Sequence, residues 1–240
     1  MSVKPNLFLL GTAFSLGAIA TILQFIPVSY AVKDYTAPEQ PYLWNISAVH
    51  PSDILFAAQY TPETLTPLSE QEQADFTYLR EQEKLAHDVF TTLYNTWGMS
   101  IFNNLSNSEQ THSNAVYMVL RAYEFPDPAA ETALGEFGNA DLRTLYEGLT
   151  AEGTTSPVAA VKAGVTMEEF SILTLESMKA RTENPEILRV YDNLLKGSRN
   201  HLRSYAKLLG RYGETYTPQY LDQAQYNAVV AGAMELEKIQ

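Results

Sequence analysis

Cysteine is absent from the 240 residues. No disulfide framework, thiolate zinc site, iron–sulfur cluster or cysteine nucleophile can be built, so any metal here must rest on imidazole and carboxylate. Basic residues are scarce: 16 Lys and Arg stand against 28 Asp and Glu, a net charge of −12. A chain this acidic, with no basic cluster, repels phosphate backbones, which argues against nucleic acid as a partner. Histidine is rarer still, with four in the chain, so the place of each one is informative. No Gly-x-Ser-x-Gly turn offers a hydrolase nucleophile, and no stretch alternates with the period of two that a strand requires. What is plentiful is apolar material: 45% of residues are hydrophobic and 18% charged, enough to bury the core of one domain.

Charge is also missing from the N-terminus, where Lys4 is the single charged residue among the first 32. An apolar run from Leu7 to Ile26, then Pro27, then Ser29-Tyr30-Ala31 reads as a secretory signal peptide over residues 1–31. The run is also long enough to span a bilayer, so an uncleaved membrane anchor is the alternative. Either reading places the remainder outside the cytoplasm, as a secreted, periplasmic or cell-surface protein. Residues 32–68 are rich in Pro, Tyr, Thr and Ser without a sustained period, and they read as an extended linker.

Helical patterns begin at Ser69-Glu70-Gln71-Glu72, a capping box. The first helix is expected from Ser69 to Trp97, before Gly98. The second runs from about Ile101 to Tyr123, before Pro126 and Pro128. Short helical stretches near Asp141–Leu149 and Pro157–Ala163 fill a crossover. A third long helix is expected from Thr166 to Arg181, and a fourth from Asn184-Pro185 to Gly213. Residues 222–240 form a tail with one more helical pattern, Ala224 to Lys238. Two long helices, a long connection and two more make an all-α, ferritin-like four-helix bundle over residues 69–221.

Steps of three and four along each helix expose an anomaly. The first helix gives Phe76, Leu79, Glu83, Ala86, Phe90, Leu93 and Trp97. The second gives Phe102, Leu105, Glu109, His112, Val116, Val119 and Tyr123, and the fourth gives Tyr191, Leu194, Ser198, His201, Tyr205, Leu208 and Tyr212. Each set is one apolar face, yet Glu83, Glu109, His112 and His201 sit in mid-helix on it. Buried carboxylates are costly unless paired or bound to a cation. Several at one depth share a simple explanation, a metal in the bundle centre. Glu109 and His112 have the Glu-x-x-His spacing that turns both side chains inward. The third helix supplies Glu169 and, as the next choice, Glu176; Glu168 is expected to point elsewhere. The alternatives are a salt bridge from Glu83 to His87 or Arg80, and a hydrogen-bonded core histidine at 201. His87 lies one position off the stripe and reads as a rim residue.

Three segments together resemble a known family: Leu79-Arg80-Glu81-Gln82-Glu83-Lys84-Leu85-Ala86-His87-Asp88-Val89-Phe90, Ser108-Glu109-Gln110-Thr111-His112 and Gly197-Ser198-Arg199-Asn200-His201-Leu202. They are similar to an uncharacterised prokaryotic family of ferritin-like proteins, over about Ser69 to Leu221. The resemblance implies a dinuclear centre with Glu83, Glu109, His112, Glu169 or Glu176, and His201 as ligands. It implies two iron ions, with manganese or zinc as alternatives, and O2 or peroxide as reaction partners. The sequence departs from the pattern at Ser198, where a second Glu-x-x-His would need Glu, and at Ser171 and Thr174. The expected function is therefore di-iron oxidase, ferroxidase or peroxide-reducing chemistry. A non-catalytic bundle with one ion or a vestigial site is the alternative. A homo-oligomer is compatible with this reading.

Overall fold

The computed structural model describes residues 66–236. The expected leader, the expected linker as far as residue 65 and residues 237–240 lie outside the described residues. Among the described residues the chain is all-helical, with six helices and no strand. None of these helices is long and apolar enough to cross a membrane.

α1 (Glu70–Trp97) starts at a reciprocal cap: the Ser69 hydroxyl accepts from the Glu72 N–H, and the Glu72 carboxylate accepts from the Ser69 N–H. It stops at Gly98, whose φ of 63° is left-handed and whose N–H closes on the Tyr94 carbonyl. α2 (Ser100–Ala122) begins at once and packs back along α1. α4 (Pro157–Lys179) and α5 (Pro185–Arg211) form a second closely packed pair. Both start with proline in the first turn, behind Ser156 or Asn184, whose side chains accept from free N–H groups. α3 (Ala140–Gly153) lies in the connection and packs on α4 and α1, while α6 (Gln223–Ala231) packs on α5. The two pairs meet through α1 on α4 and α2 on α5.

Two expectations change. The stretch at 157–163 and the third long helix are one continuous helix, α4. Gly164, inside this helix, serves close packing. A Cβ there would lie 2.5 Å from Cζ of Tyr205, so the α5 ring rests directly on the α4 backbone. The tail helix is shorter than its pattern, ending at Ala231 before Gly232. The chain beyond it turns onto α5, where the Glu235 backbone pairs with the Asn200 side chain through two hydrogen bonds, of 2.9 and 3.0 Å.

Aromatic layers lie along the axis. Phe76 stacks on Tyr191 with centroids 5.5 Å apart. Phe90 and Phe102 both pack on Tyr205, at 5.6 and 6.0 Å. Phe76 and Phe90 lie seven residues to either side of Glu83 on α1, roughly 10 Å along the axis in each direction. A polar layer thus sits between two aromatic ones, and all five aromatic side chains are fully buried.

Candidate metal centre

The polar layer draws one residue or pair from each of four helices: Glu83 from α1, Glu109 and His112 from α2, Glu168 from α4 and His201 from α5. All are 2% exposed or less. Their ligand atoms form two groups, Glu83–Glu109–His112 and Glu109–Glu168–His201, each with its atoms within 4.8 Å of one another. Glu109 belongs to both. Its Oε2 lies 2.9 Å from Nδ1 of His112, and its Oε1 lies 2.6 Å from Nδ1 of His201. Glu83 Oε2 approaches His112 Nδ1 at 3.4 Å, and Glu168 Oε1 approaches His201 Nδ1 at 3.2 Å. The two imidazoles stack, with centroids 5.5 Å apart and planes 18° from parallel. The buried Glu/His groups could therefore hold a metal ion.

Two details favour a cation over plain ion pairing. Glu109 Oε1 and Glu83 Oε1 are buried without a hydrogen-bond partner, a costly condition for carboxylate oxygens unless something else meets them. Oε1 of Glu109 and Oε1 of Glu168 both approach the one Nδ1 of His201, so two carboxylates compete for a single ring nitrogen. The far nitrogen of His201, Nε2, lies 3.0 Å from the Ser108 hydroxyl. If that nitrogen carries the proton and donates to Ser108, Nδ1 presents its lone pair to the carboxylates. His112 is seated differently: Gly197 of α5 leaves the room its ring occupies, since a Cβ there would lie 2.5 Å from both Cε1 and Nε2.

Burial and neighbouring charge set the protonation states. Burial pushes the Glu83 carboxyl up, against the pull of His112, to about 7. Glu168 is likewise raised by burial to about 7, with His201 opposing. For Glu109 burial also works upward, but His112 and His201 outweigh it and hold the carboxyl well below the ordinary range. Burial lowers His201, yet Glu109 and Glu168 lift it to about 9. His112 is raised well above its usual value, with Glu109 the main charge opposing burial. Without metal, protons do the work of a cation in this layer.

The four expected residues of the first, second and fourth long helices, Glu83, Glu109, His112 and His201, are brought together. The third helix departs from expectation. Glu168, expected to point away, joins the layer. Glu169 is buried but turned about 100° round the helix, where its Oε2 accepts from the Tyr216 hydroxyl at 2.5 Å and the Gln219 N–H at 3.1 Å. Glu176 is exposed. A stripe of Val161, Val165, Glu168, Ile172 and Leu175, all buried, would have revealed Glu168 had the helix been read from Pro157. Glu83 pairs with neither His87 nor Arg80. His87 Nδ1 lies 3.0 Å from the Ser106 carbonyl, and Arg80 bonds Asp127. Ser198 is buried at the fourth-helix position where the pattern would place Glu.

Comparison with known proteins sets this centre in a family. A family model described as "Uncharacterized protein domain (DUF2202)" matches residues 72–233, which hold the whole polar layer. An uncharacterized protein of Methanocaldococcus jannaschii, MJ0754, is 43% identical over 169 residues, covering 70% of this chain and 91% of the archaeal protein. The crystal structure of hypothetical protein MJ0754 superposes with a TM-score of 0.69 at 43% identity, covering 71% of this chain and 97% of that one. A model match over more than half the chain, with a relative this similar, means that the chain belongs to the uncharacterized DUF2202 domain family.

Proposed function

We propose that the chain is a ferritin-like four-helix metal protein. Its polar layer holds two ions, iron foremost and manganese or zinc as alternatives, and it carries out oxidase, ferroxidase or peroxide-reducing chemistry. The observation that carries this reading is the sharing of Glu109 between two three-residue groups. One carboxylate with an oxygen turned to each of two imidazoles is the arrangement of a bridge between two ions. Glu83 and Glu168 would be the outer carboxylates, and His112 and His201 the nitrogen donors through Nδ1. Carboxylate with imidazole suits iron and manganese, and no thiolate competes. Bound iron would supply the electrons that O2 or peroxide takes up. The chain's own part is positional: Ser108 fixes the His201 ring, Gly197 admits that of His112, and the aromatic layers keep bulk water out. Ser198 withholds a further carboxylate, which favours an open coordination place over a closed structural site. The leader-like residues 1–31 support a location outside the cytoplasm, whether cleaved or retained as an anchor.

The test is metal content of the full chain, purified without chelator and reconstituted anaerobically with Fe2+, followed by O2 and peroxide uptake. About two irons per chain with uptake are expected. One ion without uptake would leave a mononuclear, non-catalytic site shaped by Ser198, and no metal would overturn the reading.

Removing metal should also make stability depend on pH in a set direction. The raised His201 contributes stability that is complete below its unfolded value near 6.5 and lost as pH rises through about 9. Glu83 and Glu168, raised from 4.5 to about 7, favour the fold below 4.5 and lose that contribution as pH rises through about 7. Glu109 acts oppositely, but its window lies below 4.5. Thermal unfolding of chelated protein is therefore expected to show a falling midpoint from about pH 6 to pH 9.5. Metal-loaded protein should show a much flatter profile, because the ion replaces the protons. Equal profiles would mean that this layer does not exchange protons for metal.

A further inference from the structure

A cavity of about 300 Å3 lies on the outer side of the α1–α2 pair, under the connection that leads to α3. Its position follows from the helices that carry the metal centre. Arg80, Lys84 and His87 flank Glu83 on α1, and Gln110 and Ser113 follow Glu109 and His112 on α2. Thr132 closes it from the connection. In a chain of net charge −12, this is a place where two cations face a common space.

Both cations are held in place from behind. Arg80 bonds Asp127 at 3.1 Å and the Ser113 hydroxyl, and its guanidinium lies over the Tyr117 ring. Its Nε is buried 3.0 Å from Asp127 Oδ1 without making a hydrogen bond. Lys84 bonds Asp88, itself part of the lining, and the Ala133 carbonyl at 2.8 Å. The ammonium also lies over the Phe137 ring, 4.6 Å from its centroid, so a guest anion would compete with that ring for the third hydrogen. The side chains are only 13% and 11% exposed, so their charge is weakly screened. The wall opposite is pinned to α1 by these same residues, and it contains Glu131 at φ 58°, a left-handed non-glycine next to Thr132. Such strain persists where surrounding contacts hold it, and it gathers at ligand clamps.

We propose that this cavity binds a small oxyanion, a carboxylate- or phosphate-bearing molecule, between Arg80, Lys84 and Ser113. Cations held in fixed positions with the Ser113 hydroxyl beside them suit planar or tetrahedral oxyanions, and the volume is at the low end for small-molecule sites. Binding stands on the cavity alone. The further role, as the seat of the metal centre's co-substrate, rests on the two-ion reading above. Adjacency along the helices favours it: Arg80, Lys84, Gln110 and Ser113 lie within a helical turn of Glu83, Glu109 and His112 in the chain.

The test is calorimetric titration of the full chain, first metal-free, with inorganic phosphate and separately with acetate, at ionic strength held constant with chloride. Saturable one-to-one binding is expected for one or both. Stronger phosphate binding would mark a phosphate site, and stronger acetate binding a carboxylate site. Lys84→Gln should weaken binding on the order of tenfold, and Lys84→Arg should restore most of it. Lys179→Gln, at an ion pair with Asp192 outside the cavity, should leave it unchanged. Unfolding curves confirm that each variant is folded. No saturable binding of either anion, or binding indifferent to Lys84→Gln, overturns the proposal whatever the metal content. Repeating the titration on iron-loaded chain tests the co-substrate role: the anion should perturb the iron absorption spectrum, and binding without perturbation overturns that role alone.

Discussion

With two ions as proposed, Glu109→Ala is expected to empty the centre, whereas Glu83→Ala and Glu168→Ala should each remove one ion and leave the other. The asymmetry follows from geometry. Glu109 supplies an oxygen to both groups, Glu83 only to the one with His112, and Glu168 only to the one with His201. Residues that merely orient a ligand cost roughly 10–100-fold in affinity when lost; losing a ligand common to both ions should exceed that at each. In metal-free protein the same substitution leaves two buried imidazoles without their shared carboxylate, a loss of about 3–5 kcal/mol if the rings stay charged. Glu109→Gln keeps the shape but turns one of the two oxygens that face the imidazoles into a donor, so it removes the charge and one acceptor without opening a cavity. Metal content by elemental analysis, beside chemical denaturation of chelated samples, separates the two effects. If all three alanine variants lost metal equally, the layer would hold a single ion and the bridge would be wrong.

Gly197→Ala is the second large effect, at a residue that could bind nothing itself. An α5 methyl would lie 2.5 Å from the His112 ring, closer than packed atoms tolerate. Either the ring tips or α5 moves from α2. Overpacking of this kind costs about 1–3 kcal/mol, and a tipped ring would take Nδ1 out of line with Glu83 and Glu109. The ion on the His112 side should be lost or weakened while the His201 side keeps its own. Gly210, on the same helix, is the control: nothing lies within 4 Å of a Cβ there, so Gly210→Ala should stabilise by up to about 1 kcal/mol through helix propensity. Denaturation midpoints with opposite signs, and metal loss confined to Gly197→Ala, are the expected result. Retention of both ions in Gly197→Ala would show that His112 is not held by this contact.

The sequence alone determined the helical class, because the evidence for it is local. A capping box at Ser69, a left-handed glycine at 98 and proline in the first turn of α5 act within a few residues of themselves. It also marked Glu83, Glu109, His112 and His201, because each interrupts an otherwise apolar face, and amphipathic helices make an intruder visible. α4 gave no such contrast. It is buried from Ala163 through Ile172 without a break, so no polar side oriented a helix taken to start at Thr166, and the reading fell on Glu169 rather than Glu168. The tertiary structure corrects that choice, since Tyr216 and Gln219 come from a segment some fifty residues later to take Glu169, leaving Glu168 to face His201. Gly164 and Gly197 carry the same lesson. A glycine inside a helix looks like weakness until the partner helix is in place, and here the partners are the rings of Tyr205 and His112. Local sequence decides which residues are helical and which are out of place. Where they meet depends on which helix faces which, and that is settled by packing between segments far apart in the chain.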